Sequence, residues 1–302
     1  MSHDAARCIE RGGVGWPPRL EDLARPPERV WLRGAVDPAH PAVAVVGARR
    51  CSEVAIRVTE WLTRTLGAAG VQVISGLALG IDGAAHRGAL AGGGSSVAVL
   101  GCGVDVCYPR QHRPLRDALL ARGSVLTEEP PGQQPQPWLF PKRNRLIAAL
   151  CVAVVVVEAS ERSGALSTAR HAADLGREVL AVPGTISSEI TLGSNRLIQD
   201  GATPILEAAD VFAAVPALAG RALPAGVPGS TTRPPRPAPT TAAGRVLDLA
   251  AGGAVHPDEL ALRLALDPAR LARLITELEL GGHLVSTASG RVQAVTASWS
   301  GR

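Results

Sequence analysis

Residues 151–184 read CVAVVVVEASERSGALSTARHAADLGREVLAVPG. The stretch opens on an apolar run, 151–159, and closes on a second, 177–184, with a helical pattern over 164–176 between them. The first run does not alternate apolar with polar. A strand that is apolar on both faces must be covered on both faces, which is the habit of parallel sheets with helical connections.

The same alternation extends in both directions. Further apolar runs predict strands at 42–47 (AVAVVG), 71–75 (VQVIS), 96–101 (SVAVLG), 124–128 (SVLTE) and 202–206 (ATPIL). Helical patterns lie near 53–69, 82–91, 111–122, 142–150, 191–200 and 207–214. The large domain, 41–215, is therefore expected to be α/β, with a mostly parallel sheet and ligands at the carboxyl ends of its strands.

Composition sets the outer limits. The chain has 302 residues, 46% hydrophobic and 19% charged, enough for a packed core. No apolar run reaches the roughly 18 residues of a membrane span. Residues 1–30 carry Asp4, Arg7, Glu10 and Arg11 and no apolar leader, so no secretory signal is expected. Five scattered cysteines, Cys8, Cys51, Cys102, Cys107 and Cys151, predict free thiols in a reducing cytosol. Of the 31 basic residues only Lys142 is lysine, a GC-rich bias that is not itself a nucleic-acid signal. The net charge is +4; residues 1–40 and 244–302 are each neutral, and any polyanion site must be a local cluster.

Residues 216–243, rich in Pro, Ala, Gly and Thr, predict a semi-extended linker. Beyond it, helices over 242–251, 256–264 and 267–280 precede two short strand patterns around Gly290, a winged-helix outline over 244–302. The Pro-rich residues 1–40 are expected to pack as an irregular segment against the large domain.

Several strand ends carry groups suited to anions. At VGARRCS, Gly47 permits close backbone approach, and Arg49 and Arg50 precede a helix start near Ser52. At SGLALGIDGAAH, Ser75, Gly76 and Gly80 form an open loop, and Asp82 and His86 share a helix face. An Asp at a helix start with a helix-face His explains that pair better than acid–base chemistry. At PWLFPKRNR (137–145), Lys142, Arg143 and Arg145 bring +3 with no acid nearer in sequence than Glu129 and Glu158. Trp138 and Phe140 stand just upstream in a chain with 3% aromatics. Basic groups grip phosphates and aromatic faces stack on unpaired bases. Ser163 and Gly164, with Ser167 and Thr168, offer hydroxyls and backbone N–H groups at another helix start. Together these ends predict a continuous polyanion-binding rim. No metal, nucleophile-elbow or Walker A motif is present, and Cys102 and Cys107 read as buried thiols rather than ligands.

VAVVGARRCS, VISGLALGIDGAAHRGAL, VAVLGCGVDVCYP, LTEEPPG, FPKRNRLIA, the 154–184 segment and GSNRLIQDGATPI occur in order over about 42–212. In this the chain resembles the DNA-processing protein A family (DprA, also called Smf). The resemblance implies an extended Rossmann-like fold, single-stranded DNA binding and loading of the RecA recombinase during natural transformation, without catalysis. It implies DNA contacts by Gly47, Arg49, Ser75, Gly76, Phe140, Lys142, Arg143, Asn144, Ser163 and Gly164, with Phe140 as the stacking surface. It also implies a homodimer through the Rossmann-like domain, and takes residues 1–40 for the remnant of an N-terminal helical domain. No cofactor, metal or membrane partner is expected, and a cytoplasmic location is expected.

Two rivals can be set against this reading. A nucleotide-hydrolysing enzyme of the lysine-decarboxylase-like family would need a Gly-Gly-x-Gly-Thr-x-x-Glu loop, where this chain has EASERSGALSTAR. A winged-helix transcription factor would need a basic recognition helix, but 267–280 sets Arg270 and Arg273 against Asp267, Glu277 and Glu279.

Overall fold

The computed structural model describes residues 6–34, 40–221, 237–280, 283–287 and 290–294. The chain enters the sheet earlier than its apolar runs suggest. Instead of an irregular segment, β1 (Arg7–Glu10) and β2 (Arg29–Gly34) flank one 3-10 turn at Pro18–Asp22. The two strands pair antiparallel, and β2 pairs antiparallel with a strand of the main sheet, Leu32 opposite Leu126. Only alternate residues of β2, Val30 and Leu32, are buried hydrophobics. Such a strand has period two rather than a continuous apolar run, and its Pro-rich flanks hide it.

The predicted strands all form: β3 (Ala42–Val46), β4 (Gln72–Ser75), β5 (Ser96–Val99), β6 (Ser124–Thr127), β7 (Ala153–Val156), β8 (Glu178–Ala181) and β9 (Thr203–Pro204). Between them run α1 (Glu53–Ala68), α2 (Ile81–Ala91), α3 (Arg113–Arg122), α4 (Leu139–Leu150), α5 (Ala165–Asp174) and α6 (Leu192–Gln199), and α7 (Ala208–Ala214) follows β9. Helix α4 starts three residues before the predicted 142, which places Phe140 in its first turn.

Among the described residues the sheet order is β1-β2-β6-β5-β4-β3-β7-β8-β9, with β6 through β9 parallel. The chain winds outward from β3 to β6, then returns through α4 to place β7 beside β3. This reversal opens a crevice at the carboxyl ends of β3 and β7, where connections diverge to opposite sides. One face of the sheet buries Leu20, Val30, Leu32, Leu146 and Ile147, and the other buries Leu62, Leu66, Ile81 and Val211.

The chain divides into two compact units, 1–229 and 230–302. The second contains α8 (Ala242–Ala251), α9 (Pro257–Leu264), α10 (Pro268–Leu280), β10 (Leu284–Ser286) and β11 (Val292–Ala294), the last two antiparallel. Its own core holds Val246, Leu247, Leu260, Leu271, Leu278, Leu284 and Val292. Thr241 caps α8 by accepting from the Gly244 N–H at 3.0 Å, and Asp267 accepts from the Arg270 N–H at 3.1 Å. Most of the predicted linker, 222–236, lies outside the described residues.

Candidate functional site

The β3–α1 loop, Gly47–Ser52, is pinned at several points. Ala48 donates its N–H to the Glu158 carbonyl at 2.7 Å and accepts from the Ile81 N–H at 3.2 Å. The buried Glu158 carboxylate accepts from the Ser52 N–H at 2.8 Å and from its hydroxyl at 3.0 Å. Ser52 in turn caps α1 through the Ala55 N–H. A Cβ at Gly47 would lie 2.6 Å from Ile81 Cγ1 and 2.9 Å from the Glu158 oxygen, so the loop closes this tightly only on glycine. The exposed side chains of Arg49 and Arg50 follow on this fixed base.

Helix α4 crosses the crevice. The Arg49 guanidinium stands 5.0 Å from the centre of the Phe140 ring, and Tyr108 lies 5.6 Å from that ring, tilted by 35°. Arg143 is buried and donates from Nη1 to the Gly76 carbonyl at 2.9 Å and to the Val99 carbonyl. Burial works against its charge and Asp82 supports it. Asn144, also buried, donates to the Gly164 carbonyl at 3.2 Å and to Ser167 Oγ at 2.8 Å, tying α4 to the start of α5. The resulting cleft of about 690 Å³ is lined by Gly47, Arg49, Arg50, Asp82, Tyr108, Phe140, Arg143, Asn144, Ser163, Gly164 and Thr168. A Cβ at Gly164 would meet open space.

Seven of the expected contact residues, Gly47, Arg49, Phe140, Arg143, Asn144, Ser163 and Gly164, thus meet in one cleft. Three are placed elsewhere. Ser75 is buried and donates to the Val45 carbonyl at 2.7 Å. Gly76 is covered by the Arg143 guanidinium, 2.5 Å from where its Cβ would stand. The rim is therefore interrupted at the end of β4. Lys142 points away and pairs with Glu129 at 2.7 Å and Glu128 at 3.6 Å, while Arg145 pairs with Glu128. The charge of 142–145 is consequently compensated: the acids are distant in sequence, but the end of β6 returns them to the helix.

The carboxylates and histidine near the rim are engaged. Asp82 accepts from the Ala78 N–H at 3.3 Å; burial raises its pKa, and Arg143 is the largest influence opposing that rise. His86 does not join Asp82 at the cleft. It is buried with Nδ1 2.7 Å from Ser96 Oγ, and burial pushes its pKa down to about 3. Cys102 is buried, its thiol pushed up to about 11 by burial, whereas Cys107 is only half-buried. Among the described residues no group of three or more His, Cys, Asp or Glu is arranged to hold a metal.

Sequence reasoning overlooked Tyr108. Its one available signal was being the chain's single tyrosine beside a strand end. Arg50 was read only as part of the loop, yet it lines the cleft.

Comparison with known proteins accords with this fold. The model of the family described as DNA recombination-mediator protein A matches residues 7–216, and that of the DprA winged helix domain matches 230–290. The DNA processing protein DprA of Streptococcus pneumoniae is 42% identical over 199 residues, covering 66% of this chain and 70% of that protein. Its X-ray structure superposes with a TM-score of 0.67, over 69% of this chain and 74% of the other. Protein Smf of Escherichia coli is 41% identical over 199 residues, 65% of this chain but 53% of that longer protein. The structure of DNA processing protein A from Helicobacter pylori, described by its single-stranded DNA binding mode, matches at 27% identity with a TM-score of 0.63 over 70% of this chain and 96% of that one. No described helix is long and apolar enough to cross a membrane. With its α/β unit and its winged-helix unit both accounted for in this way, the chain belongs to the DNA recombination-mediator protein A family.

Proposed function

We propose that the cleft between β3 and β7 binds single-stranded DNA, and that the protein shields the strand and passes it to the RecA recombinase without cutting it. The observation that carries this reading is the Arg49–Phe140 pair at the cleft. It sets a phosphate-binding cation against an aromatic face on which an unpaired base can stack, whatever the base. The Helicobacter structure, described by its single-stranded DNA binding mode, and the name of the family both support it. The non-catalytic part of the reading is supported by the commitments of the acids: Asp82 and Glu158 accept from backbone amides. The reading includes a cytoplasmic location and a homodimer formed through the α/β unit.

The test is a gel-shift comparison of single- and double-stranded DNA of equal length at two salt concentrations. Single strands are expected to bind more tightly. Phe140→Ala should weaken them by roughly 1–3 kcal/mol, the worth of one stacked base. Arg49→Ala should reduce the salt slope by about 0.7, the value of one phosphate. Preference for the duplex, or two folded variants with native affinity, would overturn the site. End-labelled strands and ATP, incubated with protein and magnesium or manganese, should stay intact. A product that Asp82→Asn abolishes would move the protein to the hydrolases.

A further inference from the structure

A second cleft, of about 1070 Å³, opens beside the first. Tyr108 lines both. The loop from β6 to α4 also walls both, with Gln134 and Pro135 on the second and Pro137 on the first. The second cleft is strongly basic, with Arg110, Arg113 and Arg116 among its lining. Its one lining acid, Asp105, is occupied, accepting from the Gly132 N–H at 2.8 Å. Arg116 pairs with Asp117 at 3.0 Å. Arg110 and Arg113 are exposed, and neither has an ion-pair partner among the described residues. Both stand where the 3-10 turn Arg110–His112 leads into α3, a helix start whose dipole disfavours cations. Two unpaired arginines held there are a conflict that a bound polyanion relieves.

We infer that the single strand does not end at Phe140 but runs on over Tyr108 into this second cleft, where Arg110 and Arg113 take the next phosphates. The inference rests on the proposed function of the first cleft. The shared tyrosine supplies continuity: Tyr108 is 43% exposed and its ring centre lies 5.6 Å from that of Phe140, so a base leaving the first cleft meets a second aromatic surface.

The experiment compares the shortest oligothymidylate the protein binds with one of about twenty nucleotides, by fluorescence anisotropy over a salt series. The double variant Arg110→Ala/Arg113→Ala, with unchanged thermal midpoint, should bind the long strand about tenfold more weakly. Its salt slope should fall by about 1.4, two phosphates at about 0.7 each. The short strand should be unaffected within twofold. Charge reversal to Glu at both positions should deepen the loss on the long strand alone. An unchanged long-strand affinity, or equal losses on both strands, would overturn the extension, the latter because the arginines would then act only as a general field. Arg49→Ala keeps the two ideas apart: weakened binding there with no effect of the double variant removes the second cleft alone, whereas no effect of Arg49→Ala on either strand removes the first cleft and the extension with it.

Discussion

Arg143→Ala and Lys142→Ala should have different consequences although the residues are adjacent. The Arg143 side chain is 5% exposed and satisfies the Gly76 and Val99 carbonyls beside the buried Asp82. Removing it leaves buried acceptors unpaired, at about 1–3 kcal/mol each. The variant should lose both thermal stability and DNA affinity. Lys142 is half exposed and pairs with Glu129 and Glu128, whose side chains are only 12% and 8% exposed; its loss leaves Glu128 still paired with Arg145. Lys142→Ala should lower the melting temperature less than Arg143→Ala does and keep its salt slope; a slope reduced as much as that of Arg49→Ala would show that Lys142 reaches the strand. His86 makes a second prediction at this scale. Its folded pKa is about 3, depressed mainly by burial and then by His112, Arg143 and Arg87, against an ordinary value of 6.5. Below 6.5 the unfolded chain takes up a proton that the folded chain refuses, so this group's contribution to stability falls as pH drops from about 6.5 toward 3 and is flat above. The slope approaches about 1.4 kcal/mol per pH unit. Urea unfolding midpoints from pH 7 to pH 4 should fall less steeply for His86→Leu than for the native chain.

At the scale of elements, the pair β1–β2 is an integral edge of the sheet. Leu32 is 2% exposed and sits opposite Leu126, in the same core as Leu146 and Ile147 of α4. Leu32→Ala should cost about 2–5 kcal/mol, the usual range for a core leucine left as a cavity. Leu262, at 85% exposure on α9, serves as the control and should change by less than about 0.5 kcal/mol on the same substitution. Equal unfolding midpoints for the two variants would mean that residues 7–34 are dispensable to the fold. The helices show the reverse dependence. Helix α4 carries Phe140 and the buried Arg143, and Asn144 fastens it to α5, so helix packing places these two side chains against the pinned β3–α1 loop.

Taken whole, the molecule has two units with separate cores. Residues 244–302 hold six arginines and six acids, so the only excess charge of the second unit is the +2 of Arg233 and Arg236 at its start. A chain ending at Gly229 should therefore retain most of the single-strand affinity of the full protein, with a salt slope lower by no more than the two phosphates that Arg233 and Arg236 could meet. Anisotropy titrations of the two, checked for equal oligomeric state, decide the matter: near-complete loss in the folded shorter chain would assign the main grip to the winged helix.

The sequence by itself determined the central elements of the sheet but not its N-terminal edge, β1 and β2. A parallel strand covered on both faces is mostly apolar, so β3 to β8 announce themselves locally although β4, β5, β6 and β8 each carry a polar end residue, and Ser52 and Asp267 mark helix starts. It also marked Gly47, Arg49 and Phe140, because a glycine turn, a cation and a rare aromatic are visible without neighbours. Tertiary structure alone decided which of these meet. No local pattern says that β7 lies beside β3, yet that placement makes the crevice and brings Glu158 under the Ser52 loop. Burial then divided residues of one chemistry into two kinds: Arg49 stays exposed over Phe140, whereas Arg143 is drawn inside to satisfy strand-end carbonyls. The acids that neutralise Lys142 and Arg145 arrive from β6, which only the path of the chain through space brings within ion-pair distance.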